Sequence, residues 1–521
     1  MTSSSVLLSV NRRSGFSVFF TSCQLLVKHS VKMISTKAVI IGAGASGIAA
    51  ACRLLERGMN DFVVLEAEDR IGGRVHSVDF CGNIVDLGAH WVHGEKGNVV
   101  FALLKDLNIL QTSVTSITQD NVMFVDSSGK PVAPEKLAKI YGILSEIEEN
   151  SKSGLKNFWG SVGDYFTREF QRQITQPGLI SAEDLPLAYS FLEWYSKFEQ
   201  SIDGSDSWFQ TSGKGLTEYW ECEGNPLWAW KHGGYRNILD VLMKKYPNPD
   251  QELPLKERLQ LSKEVTKIEW DSLPNEIRGK VIVSCLDGSQ YIADHVIVTV
   301  SLGVLKAQAK AMFSPPLPAY KMNAIKGLSI GTVNKVYMKF SHQWWPEDCS
   351  GFGFLWNAED KAGSETSGGD EQNWLKEVFT FNTVDNHPLC LCGWIVGPEA
   401  RKMELMSDTE VCDSLMSLLK RFLGKHFKVP YPEKILRSSW TANPHFRGSY
   451  SFRSLDTERY GTNAASLAKP ISNTDGNQVL LFAGEATHDH YYSTVHGAIE
   501  TGWREADRIL NEARLFKKSS L

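Results

Sequence analysis

The residues Val39-Ile40-Ile41-Gly42-Ala43-Gly44-Ala45-Ser46-Gly47 constrain this chain more than any other stretch. The β-branched run from Lys37 to Ile41 reads as a buried strand. Gly42 allows the tight turn that follows, Gly44 lets the backbone approach a pyrophosphate with no Cβ in the way, and Gly47 lets the next helix pack closely on the strand. That helix is expected from Ala45 or Ser46 to about Arg57, with Ile48, Cys52 and Leu55 on one face and Gly58 as its C-cap. The unpaired N–H groups at its start, around Ala45 and Ser46, favour a bound phosphate. A second strand, Phe62 to Leu65, delivers Glu66 to the place of a ribose hydroxyl pair. A carboxylate there favours an unphosphorylated ribose over the 2′-phosphate of NADP. Strand, helix, strand and acid fall in register within about 30 residues, as a dinucleotide site requires.

Arg70-Ile71-Gly72-Gly73-Arg74 comes next. Alone, Arg74 reads as a solvated loop arginine. Carried on Gly72-Gly73 behind the fingerprint, its planar fork suits pyrophosphate oxygens and leans the choice between NAD and FAD towards FAD.

The remainder is large enough for two domains: 521 residues, 42% of them hydrophobic. A net charge of −5 carries no nucleic-acid signature and is compatible with a cationic substrate. The nine cysteines show neither zinc spacing nor a disulfide framework, which favours a reducing compartment and makes the cytoplasm the first expectation. Cys390 and Cys392 alternate within an apolar run that reads as a strand. Residues 1–36 hold Arg12, Arg13, Lys28 and Lys32 but no acid, with an apolar patch from Phe16 to Val27. They read as a disordered extension ahead of a start at Met33, a mitochondrial transit peptide or a poor signal peptide; the patch is too short to span a bilayer. Ser519-Ser520-Leu521 looks like a peroxisomal tail lacking its basic middle residue.

Along the chain, Glu135 to Glu149 reads as an amphipathic helix, and residues 203–234 as an irregular connection. Strands are expected at 265–270, 281–286 and 291–300, the last two joined at Asp287-Gly288. Residues 358–373 read as a surface loop. A helix from Thr409 to Leu423 has Ser407 or Asp408 as N-cap and Gly424 beyond its end. Strand Gln478 to Ala483 and helix Val495 to Ala513 close the chain. This order predicts an α/β fold. A Rossmann-like FAD-binding domain would be assembled from 37–115, 226–314 and 435–515, and an α+β substrate-binding domain from 116–225 and 315–434 would lie over the reactive ring.

Leu481-Phe482-Ala483-Gly484-Glu485-Ala486-Thr487 and Tyr491-Tyr492-Ser493-Thr494-Val495-His496-Gly497-Ala498 resemble the C-terminal flavin motif of the flavin-containing amine oxidases, the animal acetylpolyamine and spermine oxidases above all. Asp86 to Gly94, Val296 to Lys306, Gly331 to Val336 and Arg447 to Ser451 fall in that family's order, so the resemblance covers nearly all of 37–513. It implies the amine oxidase fold, and FAD held by Glu66 at the ribose, by Gly73 and Arg74 at the phosphates and by Val265 near the adenine. Gly484 and Glu485 would lie by the ribityl–pyrophosphate portion, with the Thr494 and Val495 amides by the ring. The segment from Ala483 to Ala498 has no cysteine, so the FAD is expected to be non-covalent.

Read from its strand alone, Lys335 is an edge or snorkelling residue. The resemblance makes it the lysine that holds a water against flavin N5. His93 stands where plant polyamine oxidases carry glutamate and animal ones histidine; a neutral imidazole there accepts a hydrogen bond from an amine. Tyr450 matches an aromatic that sandwiches substrate against the flavin. Trp91, Glu199 and Thr494 complete the implied substrate site, and no metal is expected from His488-Asp489-His490. The implied reaction is oxidation of a secondary amine of a polyamine by hydride transfer to FAD, giving an aminoaldehyde, a shorter amine and hydrogen peroxide. The expected partners are that small molecule and oxygen, with no nucleic acid and no membrane span, and the protein is expected to be a monomer. Rival readings are a monoamine oxidase, a histone lysine demethylase and a catalytically silent flavoprotein acting through a partner. The missing attachment cysteine and the missing helical insertion weigh against the first two. Retention of Lys335, His93 and Tyr450 weighs against the third.

Overall fold

Alternation along the first strand, Met33–Ile41, sets the architecture. Ala38 and Ile40 bury on one side with helix Ala45–Glu56 and the closing helix Val495–Ser519, while Val39 and Ile41 bury on the other. A strand apolar on both faces must lie inside a sheet covered twice. It pairs in parallel with Phe62–Leu65 and with Gln290–Val298, and Gln478–Phe482 lies parallel to the latter. Stretches of chain hundreds of residues apart thus form the parallel centre of a nine-stranded sheet. The hairpin of Val281–Cys285 and Gln290–Val298 turns at Asp287-Gly288, where Gly288 takes a φ of +83°. Strand Val265–Glu269 extends it. The first and last helices touch at Ser46, whose carbonyl would lie 2.1 Å from a Cβ on Gly502, and Arg53 pairs with Asp507 at 2.9 Å.

This computed structural model describes residues 33–115, 121–271, 273–274, 277–360 and 370–519. The readings of residues 1–32, of Ser520-Leu521 and of most of the 358–373 loop fall outside them. One boundary needs correction. The strand begins at Met33, because Met33 to Thr36 pair with Gln290 to Ala293, so residues 33–36 belong to the sheet and not to an extension. The helix read as Glu135 to Glu149 runs Pro134–Leu155, since Ile147, Ser151 and Leu155 continue its buried stripe. Residues 203–234 are not wholly irregular: Ser212 caps a short helix, Gly213–Leu216, and strand Trp228–Trp230 pairs with Leu110–Thr112.

A second sheet runs in the order Lys434–Arg437, Val333–Lys339, His387–Val396, Val378–Val384, Gly351–Leu355 and Val122–Asp126. Helix Asp408–Leu423, opened by a Ser407–Glu410 capping box, packs on one face. Helices Pro134–Leu155, Val162–Ile174 and Leu185–Asp203 share an aromatic-rich core with the other. Lys434–Arg437 pairs with Val333–Lys339, so this sheet reaches past residue 434. Cys390 and Cys392 lie buried in its strand His387–Val396, and the described cysteines are all free. No helix among the described residues is long and apolar enough to cross a membrane.

Candidate active site

One cavity of about 1470 Å³ runs from the glycine turn to the second sheet. At its first end a Cβ on Gly47 would sit 2.0 Å from the Gly42 carbonyl oxygen, so only glycine lets helix Ala45–Glu56 start this close to the strand. Gly44 is different: a Cβ there would meet no protein atom nearer than 3.9 Å, and its backbone lines the cavity. That is the form of a cradle for a group approaching from outside the protein. Ala45, Ser46 and Gly73 share the wall.

Glu66 closes this end. Its carboxylate accepts from the Ala43 amide at 2.5 Å and the Glu68 amide at 2.9 Å. Burial pushes its pKa up, against the pull of those two donors. Val265, buried at the head of its strand, also faces the cavity.

Arg74 and Glu485 meet further in. Arg74 Nη1 donates to Glu485 Oε1 and to the Ser449 carbonyl, both at 2.8 Å. Glu485 Oε2 accepts from Ser451 Oγ at 2.6 Å and from the Ser493 amide at 2.9 Å. Burial opposes the ionisation of Glu485, yet Arg74 and these donors hold its pKa below the ordinary value. Beyond Gly484, the closing helix starts at Val495, with Thr494 Oγ1 accepting from the Gly497 amide at 3.0 Å. The Thr494 and Val495 amides have no acceptor among the described residues and sit on the cavity wall.

The second sheet supplies the other wall. Lys335 is not an edge residue, because Val333–Lys339 has a strand on each side. Its Nζ is buried and donates to the Asp86 carbonyl at 2.9 Å and the Gly88 carbonyl at 2.7 Å. It lies 3.4 Å from His90 Nδ1 and 4.8 Å from the centre of the Trp394 ring. Burial lowers its pKa to about 8. Gly88, His90 and Trp394 line the cavity; Lys335 stands directly behind them.

His93 does line the cavity, exposed to the space inside it although deep within the molecule. Its Nδ1 lies 2.8 Å from the Pro226 carbonyl, which fixes the proton on Nδ1 and leaves Nε2 an acceptor. Burial lowers its pKa, so the ring is neutral near pH 7. Trp91 is stacked between His90 at 4.2 Å and Trp394 at 5.7 Å, and its Nε1 donates to Ser113 Oγ at 3.1 Å. Tyr450 donates its hydroxyl to the Ser201 carbonyl, and its ring rests on Gly204, where a Cβ would come within 2.3 Å.

Sequence reasoning missed the acids beside Glu199. Glu148, Glu199 and Asp203 all line the cavity. Burial, then Glu148 and Asp203, drive the pKa of Glu199 well above its usual value, and burial raises that of Asp203 to about 7. Tyr195, Glu199 and Asp203 recur four apart on helix Leu185–Asp203, a period that marks one face and was available in the sequence. Trp394 had no such signal in its apolar strand. His488 and His490 bind Glu500 and the Glu218 carbonyl separately, and no metal-ligating cluster occurs among the described residues.

The profile of the flavin containing amine oxidoreductases matches residues 45–510. The chain belongs to that family. Two mammalian relatives named peroxisomal N(1)-acetyl-spermine/spermidine oxidase are each 32% identical: the Bos taurus protein over 91% of this chain and 94% of its own, and the Homo sapiens protein over 91% and 95%. A probable polyamine oxidase of Arabidopsis thaliana is 28% identical over 91% of this chain and 97% of its own. A solved putrescine oxidase, at 18% identity, superposes with a TM-score of 0.65 over 92% of this chain and 100% of its own, which establishes the amine oxidase fold. The protein is thus an FAD-dependent amine oxidase with a Rossmann-like cofactor domain, and the cradle at Gly44, Glu66 and Arg74 fits that cofactor.

Proposed function

We propose that the protein oxidises a secondary amine of spermine, spermidine or their acetylated forms to an imine. Hydrolysis of the imine gives an aminoaldehyde and a shorter amine, and oxygen is reduced to hydrogen peroxide. The observation that carries this reading is the continuity of the cavity: the glycine cradle opens into an arm lined by Glu148, Glu199, Asp203, Tyr450 and Tyr492, suited to an extended polycation. The names of the curated relatives support it.

FAD would be held non-covalently along Gly42 to Gly47, Glu66, Gly73, Arg74, Val265 and Gly484 to Val495, and would supply the two-electron acceptor chemistry. The protein supplies orientation and charge. His93 Nε2 accepts from the substrate amine without adding charge, and Trp91, Tyr450 and Thr494 flank it. Glu199 and Asp203, whose carboxyls hold their protons more firmly than usual, receive the distal ammonium group, whose charge favours their ionised forms. Lys335, buried behind Gly88 and His90, would hold a water beside the flavin ring that assists imine hydrolysis or reoxidation. The two sheets bordering the cavity support a division into two domains, with residues 434–437 belonging to the second sheet and not to the cofactor domain.

A peroxide assay with spermine, spermidine, N1-acetylspermine and N1-acetylspermidine, with putrescine as control, tests the proposal. Turnover of at least one of the four is expected; flavin-loaded protein that yields no peroxide with any of them would overturn it. A monomer in the cytoplasm is part of the same reading, and the names of the mammalian relatives support the peroxisome as the alternative. Light scattering and imaging of an N-terminal fluorescent fusion decide these points.

A further inference from the structure

Among the described residues, one hydrogen-bond neighbour of Lys335 Nζ is able to pass a proton. Of the three atoms around its Nζ, the Asp86 and Gly88 carbonyl oxygens accept hydrogen bonds but hold no proton to release. The third is His90 Nδ1, at 3.4 Å. The His90 ring lines the cavity, and its Nε2 has no hydrogen-bond partner among the described residues. The ring is held by stacking on Trp91 with planes 4° apart, and its backbone carbonyl accepts from Trp230 Nε1 at 3.0 Å. One ring nitrogen thus lies beside a buried ammonium and the other has no protein partner among the described residues.

We propose that His90 is the positioning residue that connects Lys335 to the reaction cavity, exchanging a proton with Lys335 at Nδ1 and with cavity water or substrate at Nε2. The balance is simple. When Lys335 gives a proton to Nδ1, Nε2 releases one to the cavity and the imidazole changes tautomer. When Nε2 takes a proton from the cavity, Nδ1 returns one to Lys335. Imidazole stays neutral before and after each exchange, which suits a ring whose burial and neighbouring Lys335 and His93 hold its pKa well below the ordinary value. The charged or titratable groups around the pair are Asp86 and His93 from the loop, and Cys392 from the adjoining strand. This inference rests on the amine-oxidising role proposed above for Lys335.

The test uses flavin-loaded protein with ring-labelled histidine. The His90 resonances are assigned by their loss in His90→Gln. Wild type should show the Nε2-protonated tautomer, and Lys335→Met, which removes the donor to Nδ1, should shift the tautomer balance. A His90 signal unmoved by Lys335→Met overturns the coupling. Rapid-mixing measurements against pH then compare His90→Gln, Lys335→Met and the double variant. Glutamine keeps an acceptor for Lys335 but cannot change tautomer, so the Lys335-dependent step should slow about 100-fold or more and lose its pH dependence. The double variant should be no slower than Lys335→Met. Additive losses, or a wild-type pH profile in His90→Gln, overturn the relay. If no polyamine is oxidised at all, the resonance shift still decides the His90–Lys335 contact, so failure of the two readings is distinguishable.

Discussion

Arg74 Nη1 donates to Glu485 Oε1 at 2.8 Å, joining the second glycine loop to the closing flavin segment across 411 residues of chain. The Glu485 side chain is 6% exposed and that of Arg74 24%. One contact therefore links the first and last parts of the cofactor cradle, with Ser451 and the Ser493 amide completing the shell of Glu485.

Removing Arg74 should leave a buried carboxylate short of its counter-charge. Loss of one member of a buried pair costs about 3–5 kcal/mol, and the partial exposure of Arg74 sets the expectation near the lower end. Arg74→Met should lower the urea midpoint of flavin-free protein and also weaken FAD retention. The pH dependence has a definite sign. Glu485 has a native pKa below its ordinary 4.5, so its stabilisation is present above that value and is lost as pH falls through the lowered one. Urea unfolding between about pH 3.5 and pH 7 should show this acid loss in wild type and not in Arg74→Met.

Two glycines of the fingerprint should separate folding from cofactor binding. Gly47→Ala places a methyl 2.0 Å from the Gly42 carbonyl oxygen, a backbone atom that cannot step aside, so loss of soluble folded protein is expected. Gly44→Ala meets no protein atom nearer than 3.9 Å. Its flavin-free melting behaviour should match wild type within about 1 kcal/mol, while bound flavin, read from its visible absorbance, should fall sharply. Equal destabilisation by both changes would contradict the assignment of Gly44 to the cradle.

What the sequence made legible were features with local physical causes. The fingerprint from Val39 to Gly47 announces its strand, turn and helix because alternation and the glycine positions are local properties. The N-cap at Ser407, one of the two residues read for it, and the turn at Asp287-Gly288 are of the same kind. Lys335 shows the limit: its strand pattern alone suggested an edge, and only pairing with 387–396 and 434–437 buries it. The start of the first strand at Met33 was likewise set by a partner 257 residues away, Gln290. His90 and Trp394 acquire meaning only when two sheets face one cavity.

The buried acids should act on the far end of a polyamine. Glu199 and Asp203 hold protons more firmly than ordinary carboxyls, through burial and, for Glu199, through Glu148 and Asp203. An incoming ammonium favours their ionised forms, so binding of spermine should release protons. Calorimetry of the anaerobically reduced enzyme in two buffers of different ionisation heat measures that release near neutral pH. Glu199→Gln should diminish it and raise KM more for the tetraamine than for an acetylated substrate, whose acetylated end carries no charge. Unchanged proton release would remove Glu199 from the distal site.

His496 gives the last prediction, and its sign is opposite to that of a salt-bridged histidine. Burial, then His93 and His488, lower its pKa to about 3 against an ordinary 6.5. The unfolded chain therefore takes up a proton as pH falls below 6.5 that the native protein refuses until about 3. Over that window the native state should lose up to about 1.4 kcal/mol per pH unit on account of this residue alone. His496→Gln keeps a polar side chain against Cys222, whose Sγ lies 4.0 Å from His496 Nε2, but has no proton to gain. Its urea midpoint should start near or below that of wild type at neutral pH and fall less steeply on acidification. Parallel slopes for the two proteins would mean that His496 takes up its proton in the native state at an ordinary pH.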